Sequence, residues 1–396
     1  MSHDSASTDS ASTDGATTTD GATTTDGATT EGDFALEFAS TPSPERRAAA
    51  EREEILADPG FGKHFTDHMA TVEWSLDGGW HSASIHPYGP LTLDPSASVF
   101  HYAQEIFEGM KAYRHADGSV WSFRPDANAR RFQRSARRLA LPELPVEVFV
   151  ESVRQLVRAD VDWVPSAPET SLYLRPFMIA TESFLGVRAA QEVAYHCIAS
   201  PAGAYFTSGP KPVSIWLSTK YARAARGGTG AAKTGGNYAA SLLPQQEAYE
   251  QGCQQVMFLD SEEGRYLEEL GGMNVVLVKS DGTLVTPDSE SILEGITRDS
   301  ILQLAEDRGL RVERRRVTLD EWRDGVADGS ITEAFACGTA AVVTPIAELR
   351  GEGFTIGSPT VGAGELTMSL RQELTDIQYG RRPDPHGWMT RLTDPA

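Results

Sequence analysis

Cysteine is scarce in this chain. Cys197, Cys253 and Cys337 are its only three thiols in 396 residues, and they share no close spacing. That excludes a disulfide framework and a cysteine-based zinc site. Cations are also in short supply, with 35 Lys and Arg against 56 Asp and Glu, a formal net charge of −21. An acidic chain without a basic cluster is unsuited to non-specific nucleic-acid binding, which runs on phosphate neutralisation. No apolar run approaches the roughly 18 residues of a membrane helix. The N-terminus lacks both the basic region and the apolar core of a signal peptide. With 40% hydrophobic and 23% charged residues, the chain reads as a globular cytoplasmic enzyme. Its length supports two domains with a sizeable core.

Residues 1–33 carry seven acids and no Lys or Arg, and "TDGATT" recurs at 13–18, 19–24 and 25–30. Nothing in the repeat is larger than Thr, so it cannot bury enough apolar surface to offset ordering entropy. This segment is predicted to be a disordered, solubilising tail. Beyond it, "SPERRAAAEREEIL" (43–56) predicts a helix, with Ser43 as cap and Pro44 at the first helical position. "MATVEWSL" (69–76) predicts a strand. "NARRFQRSARRLAL" (128–141) and "VEVFVESVRQLVRADVDWV" (146–164) have helical apolar spacing. "SLYLRPFMIAT" (171–181) and "EVAYHCIASPAG" (192–203) read as strands. Pro and Gly then crowd residues 200–213, which marks a domain boundary. Strands and helices alternate afterwards. The expectation is an α/β (α+β) chain with an N-terminal domain over 34–201, an interdomain loop over 202–212 and a larger C-terminal domain over 213–396.

"RGGTGAAKTGGNY" (226–238) surrounds Lys233 with glycine, and Lys233 is the lone lysine between Lys220 and Lys279. Glycine permits positive φ and close backbone approach, so this backbone is expected to turn tightly beside something bulky or anionic. One reading is a nucleoside-triphosphate loop, G-x-x-x-x-G-K-[ST], which would make this an ATP-binding protein. Ala232 occupies the second glycine position, and Gly235 and Gly236 would burden the first turn of the helix that such a loop must start. A second reading is a lysine whose amine condenses with an aldehyde; that amine must be kept unprotonated by desolvation or a cationic neighbour. A third is a surface glycine loop with a solvated lysine.

Other segments extend the reading. "FTDHM" (65–69), "HYAQEIFEGMKAY" (101–113), "LYLRPF" (172–177), "AKTGGNYAASL" (232–242), "EELGGMN" (268–274), "EGITRDSIL" (294–302) and "FACGTAAVVTP" (335–345) occur in this order. Together they resemble the branched-chain amino-acid aminotransferases over nearly everything but the tail. These are pyridoxal-phosphate enzymes of fold type IV, the D-amino-acid-aminotransferase-like fold, with the cofactor between two α/β domains. The resemblance implies that Lys233 binds the cofactor covalently and carries the substrate's α-proton. It implies that Tyr238 meets the ring hydroxyl and that Glu269 pairs with the pyridine nitrogen. Arg131 would bind the phosphate, with Arg130 and Arg124 as nearby alternatives. The backbone N–H groups of Ile296 and Thr297 at a helix start, and the Thr339 hydroxyl, would join it.

On the substrate side, the resemblance implies an aromatic pocket from Phe61, Tyr102, Phe107 and Tyr173. Arg175 would receive the second carboxylate of glutamate, and a turn at Thr339–Ala340 would meet the α-carboxylate. The implied reaction moves the amino group of Leu, Ile or Val to 2-oxoglutarate, giving a 2-oxo acid and glutamate in a homodimer, with no metal. The alternatives within the fold are a D-amino-acid aminotransferase and an aminodeoxychorismate lyase. Some relatives carry a C-x-x-C switch after "GTA"; here those positions are Ala341, Val342, Val343 and Thr344. Gly272 stands where some relatives have Thr, which leaves space near the pocket.

Overall fold

The computed structural model describes residues 36–203, 211–358 and 362–395. The predicted tail, and residues 204–210 of the predicted interdomain loop, lie outside the described residues. Among the described residues, two nine-stranded sheets carry the architecture.

The first sheet holds β1 (Ala39–Ser40), β2 (His68–Ser75), β3 (Gly79–Pro87), β4 (Glu105–Phe107), β5 (Met110–Arg114), β6 (Val120–Phe123), β7 (Ser171–Ala180) and β8 (Glu192–Ala202). The second holds β9 (Val213–Ser218), β10 (Gln255–Leu259), β11 (Leu267–Leu270), β12 (Asn274–Lys279), β13 (Leu284–Pro287), β14 (Val312–Arg315), β15 (Ile331–Gly338), β16 (Val342–Gly351) and β17 (Phe354–Gly357). A last strand, β18 (Met389–Thr393), returns to the first sheet and pairs antiparallel with β6. The helices are α1 (Ala49–Ala57), α2 (Ser98–Tyr102), α3 (Pro125–Arg138), α4 (Val146–Ala159), α5 (Gly235–Ala239), α6 (Leu242–Glu250), α7 (Ile296–Asp307), α8 (Leu319–Asp328) and α9 (Glu365–Gln378).

Helix α1 begins later than its sequence predicts. The Ser43 N–H donates to His68 Nε2 at 2.8 Å, and the Arg47 N–H donates to Asp67 Oδ1 at 3.1 Å. These bonds tie residues 43–47 to the start of β2, and Ala48 rather than Ser43 precedes the helix.

Alternation along β7 divides its side chains between two tasks. Leu172, Leu174 and Met178 are buried in one core with Phe132 of α3 and with Phe149, Val153 and Leu156 of α4. Tyr173, Arg175 and Phe177 occupy the less buried positions of the same strand. A second core lies within the other sheet, around Ile215, Met257, Leu277 and Ala336. A third joins the chain's two halves: Tyr113 and Phe123 pack with Val276, Phe335, Ile301 of α7 and Leu370 of α9.

Candidate active site

Lys233 sits in the loop between β9 and α5, and neighbouring elements fix its backbone. Its N–H donates to Ser135 Oγ of α3 at 2.9 Å, and its carbonyl accepts from the Phe107 N–H of β4 at 3.0 Å. The glycine around it serves close approach. A Cβ on Gly230 would lie 2.2 Å from the Ser291 carbonyl oxygen, and one on Gly235 would lie 2.5 Å from Glu105 Oε1.

The Lys233 amine hydrogen-bonds the Tyr238 hydroxyl at 2.5 Å and lies 4.6 Å from the Phe107 ring centroid. Burial pushes its pKa down to about 8, helped by the Arg131 and Arg175 cations and opposed by Glu108 and Tyr173. Tyr238, on the short helix α5, packs its ring 4.9 Å from that of Phe107. Burial pushes its phenol up to about 12, and the Glu269 carboxylate adds to the rise.

Glu269 is buried on β11, where the Arg223 guanidinium approaches its Oε1 to 2.6 Å. The Leu293 N–H donates to the same oxygen at 2.8 Å, and Asn274 Nδ2 reaches Oε2 at 3.4 Å. Burial pushes the Glu269 carboxyl up, while Arg223 and the Leu293 N–H pull it down. The net effect leaves the Glu269 carboxyl above its usual range, with Arg223 as its charge partner.

Arg131 is buried on α3 and grips Glu108 with two bonds, Nε to Oε1 at 2.7 Å and Nη2 to Oε2 at 2.8 Å. Burial works to raise Glu108, but Arg131 outweighs it, and the carboxyl is held below its usual range. Nη1 of Arg131 donates to the Glu294 carbonyl at 3.0 Å. This places the guanidinium beside the start of α7, whose cap, Gly295, supplies no side-chain acceptor. The Ile296 and Thr297 N–H groups head that helix. Arg130 instead pairs with Asp126 on the exposed face of α3, and Arg124 pairs with Asp299 and Ser300.

Thr339 and Ala340 form the turn between β15 and β16. Val342 follows at φ +62°, in the left-handed region. Lys111 Nζ holds the Ala340 carbonyl at 2.8 Å, and burial lowers that lysine to about 8.

Phe107, Tyr173 and Arg175 gather beside Lys233. The Arg175 guanidinium lies 4.9 Å from the Phe107 ring centroid and 5.4 Å from that of Tyr173, and Nη2 donates to the Tyr173 hydroxyl at 3.0 Å. Arg175 Nε is buried with no hydrogen-bond partner among the described residues. Phe61 meets Tyr173 edge-on at 5.0 Å. Tyr102 stands apart from this cluster, and its hydroxyl donates to the Leu185 carbonyl.

Arg223, Glu108, Ser135 and Lys111 were not singled out from the sequence. Glu108 left a signal in "EIFEGM", an acid inside an apolar strand-like run, which needs a cationic partner if buried. Arg223 left none, because it is one of two arginines in "KYARAARGG". The loop geometry also removes the nucleotide-loop reading. Gly235 begins a helix of only five residues, and Asp260 spends its carboxylate on the N–H groups of Glu263, Arg265 and Tyr266.

The family model for amino-transferase class IV matches residues 105–349, which contain this whole cluster except Phe61. The branched-chain-amino-acid aminotransferase of Mycolicibacterium smegmatis is 60% identical over 90% of this chain and 98% of its own length. The chain is a class IV, branched-chain-amino-acid aminotransferase family member. A Mycobacterium tuberculosis member of the family is 59% identical over 87% of this chain and 95% of its own.

Solved structures of branched-chain amino acid aminotransferases share the architecture, which is fold type IV. The T.th. protein complexed with N-(5'-phosphopyridoxyl)-L-glutamate superposes with a TM-score of 0.67 at 29% identity, covering 82% of this chain and 99% of its own. The Thermobaculum terrenum protein in its PLP-form gives 0.66 at 27% identity, covering 82% and 98%. Among the described residues of this aminotransferase, no helix is long and apolar enough to cross a membrane, and no group of His, Cys, Asp and Glu could hold a metal ion.

Proposed function

We propose that this aminotransferase uses pyridoxal 5'-phosphate to move the amino group of Leu, Ile or Val to 2-oxoglutarate. The observation that carries the reading is the buried Lys233 amine, lowered to about 8 and hydrogen-bonded to Tyr238, with Glu269 and Arg131 close enough to act on the same groups electrostatically. The donor set matches the cofactor end by end. An amine is available for its aldehyde, a phenol for its ring hydroxyl, a carboxylate for its pyridine nitrogen, and Arg131 with the start of α7 for its phosphate. The Thr339 hydroxyl joins the phosphate group in this reading. Bound there, pyridoxal phosphate supplies an aldehyde that captures the substrate amine and a ring that accepts the electron pair left when the α-proton departs.

The remaining work falls to side chains of this chain. Lys233 Nζ, when unprotonated, takes the α-proton and returns it on the other side of the transfer. Tyr238 hydrogen-bonds that nitrogen and fixes its direction. Glu269, paired with Arg223, would meet the pyridine nitrogen and favour its protonated form. Phe61, Phe107 and Tyr173 receive an aliphatic side chain and exclude water, without Tyr102, whose hydroxyl is bonded to the Leu185 carbonyl. The Thr339–Ala340 turn offers N–H groups to the α-carboxylate. Arg175, with its unpartnered Nε, receives the distal carboxylate of glutamate or 2-oxoglutarate. A homodimer is part of the proposal, supported by strongly exposed Phe100, Leu185 and Val187. The domains proposed from the sequence, 34–201 and 213–396, stay within it, as does cytoplasmic location.

Borohydride treatment of the purified protein tests the reading. The visible cofactor band is expected to bleach and the reduced cofactor to map to Lys233. A label on Lys220 or Lys279, or no visible band, overturns it.

A further inference from the structure

The proposed role of Lys233 raises the question of what aims its side chain, and the inference below rests on that role. Three contacts from the first half of the chain hold the peptide that carries it. Ser135 Oγ accepts the Lys233 N–H, the Phe107 N–H donates to the Lys233 carbonyl, and Glu105 takes the next segment. Glu105 Oε1 accepts both the Gly235 N–H and, at 3.2 Å, the Thr234 hydroxyl. Glu105 and Phe107 are two residues apart on β4, so one short strand grips the chain from the Lys233 carbonyl to Gly235, while Ser135 of α3 holds the lysine's N–H.

Strand β4 is itself registered on β7, with Glu105 opposite Ile179 and Phe107 opposite Phe177. The strand that bears Tyr173 and Arg175 thus sets the position of the Lys233 backbone through β4. Glycine at 235 fits this arrangement, because the carboxylate oxygen occupies the space that a Cβ would need.

We propose that Glu105 is a positioning residue, whose carboxylate oxygen holds the Thr234–Gly235 segment so that the Lys233 amine points at the substrate's reacting carbon. It touches no reacting atom. Misplacement of about 1 Å costs up to about 10²-fold in rate, and moving one oxygen back by a methylene is a displacement of that size.

Two variants separate position from charge. E105Q keeps an oxygen at the same reach and removes the charge. E105D keeps the charge and withdraws the oxygen. In single-turnover measurements on holoenzyme, E105D is expected to slow both the leucine and the 2-oxoglutarate half-reactions by about 10–100-fold, with substrate dissociation constants within about threefold of the parent. E105Q is expected to restore both rates to within about threefold of the parent. The cofactor-free protein offers a second readout. E105D should capture pyridoxal phosphate more slowly, followed by the growth of its visible band, and E105Q should not.

Parent-like rates in E105D overturn the proposal. So does an E105Q rate as low as that of E105D at an unchanged Tm, since charge would then be the active property. A loss confined to 2-oxoglutarate also overturns it, because Glu105 would then be acting on Arg175. If E105D does not fold, E105A takes its place, and half-reaction rates within about threefold of the parent overturn the proposal. Borohydride labelling of the parent keeps the two readings separate: a label away from Lys233 sinks the role of the lysine, whereas a label on Lys233 with normal E105D kinetics sinks only that of Glu105.

Discussion

At Lys233 the chain lowers an amine to about 8 by burial and neighbouring cations, and pH reports this directly. Capture of pyridoxal phosphate by the cofactor-free protein is expected to quicken about fivefold from pH 7 to 8 and to level off above about pH 9, as the neutral fraction saturates. A rate still climbing at pH 10 would mean an ordinary lysine. The stability consequence has a definite sign. The folded value lies below the ordinary 10.5, so the unfolded chain binds more protons between pH 8 and 10.5. The contribution of Lys233 to stability therefore rises with pH across that window and is lowest below it.

Arg175→Met should weaken kcat/KM for the 2-oxoglutarate half-reaction by about 2–4 kcal/mol and the leucine half-reaction much less. Equal losses in single-turnover assays would make Arg175 structural. Glu269→Gln should retain cofactor and lose about 10²–10³-fold in kcat; turnover within threefold of the parent would remove Glu269 from the ring nitrogen. Lys233, Tyr238, Glu269 and Arg131 could be named because seven segments agree in order with one family; none of those segments could be read alone. Arg223 and Glu105 were not, because each acts only across the fold, on Glu269 and on Gly235.

Helix α7 shows what an element adds beyond its residues. Its start was legible from "EGITRDSIL", but the reason for Gly295 was not. A Cβ there would lie 1.9 Å from Asn274 Oδ1, and Asn274 in turn contacts Glu269 and the Leu293 carbonyl. Gly295→Ala is expected to push Asn274 away and to tilt the helix start, weakening pyridoxal phosphate binding about tenfold or more, or ~1.4 kcal/mol. Titration of cofactor into the cofactor-free variant checks this; unchanged affinity would mean that the start of α7 moves freely. Helices α3 and α4 were legible from apolar spacing because their burial is one-sided, whereas β7 and β8 read as strands from apolar runs, and β8 is buried on both faces. Helix α1 was misplaced because a capping signal in sequence competes with tertiary hydrogen bonds, and here the bonds to His68 and Asp67 prevail.

In the whole molecule, the last strand is the feature that no local pattern announced. Strand β18 pairs with β6, and Leu392 is buried in the core of the first sheet. Leu392→Ala is expected to cost about 2–4 kcal/mol, in a thermal transition that stays single because Tyr113 and Phe123 share a core with α7 and α9. Two separated transitions would show the halves melting independently. The alternation of strands and helices was legible and pointed to a mixed α/β chain in two halves, but the pairing of β18 with β6 joins distant residues that leave no periodic trace. That arrangement also has a consequence for synthesis. While the ribosome is still translating, β6 has no neighbour on its outer side, and its open N–H and C=O groups can template unwanted pairing. Residues 124–388 are all made before β18 can cover that side, so β6 stays unpaired there through most of translation.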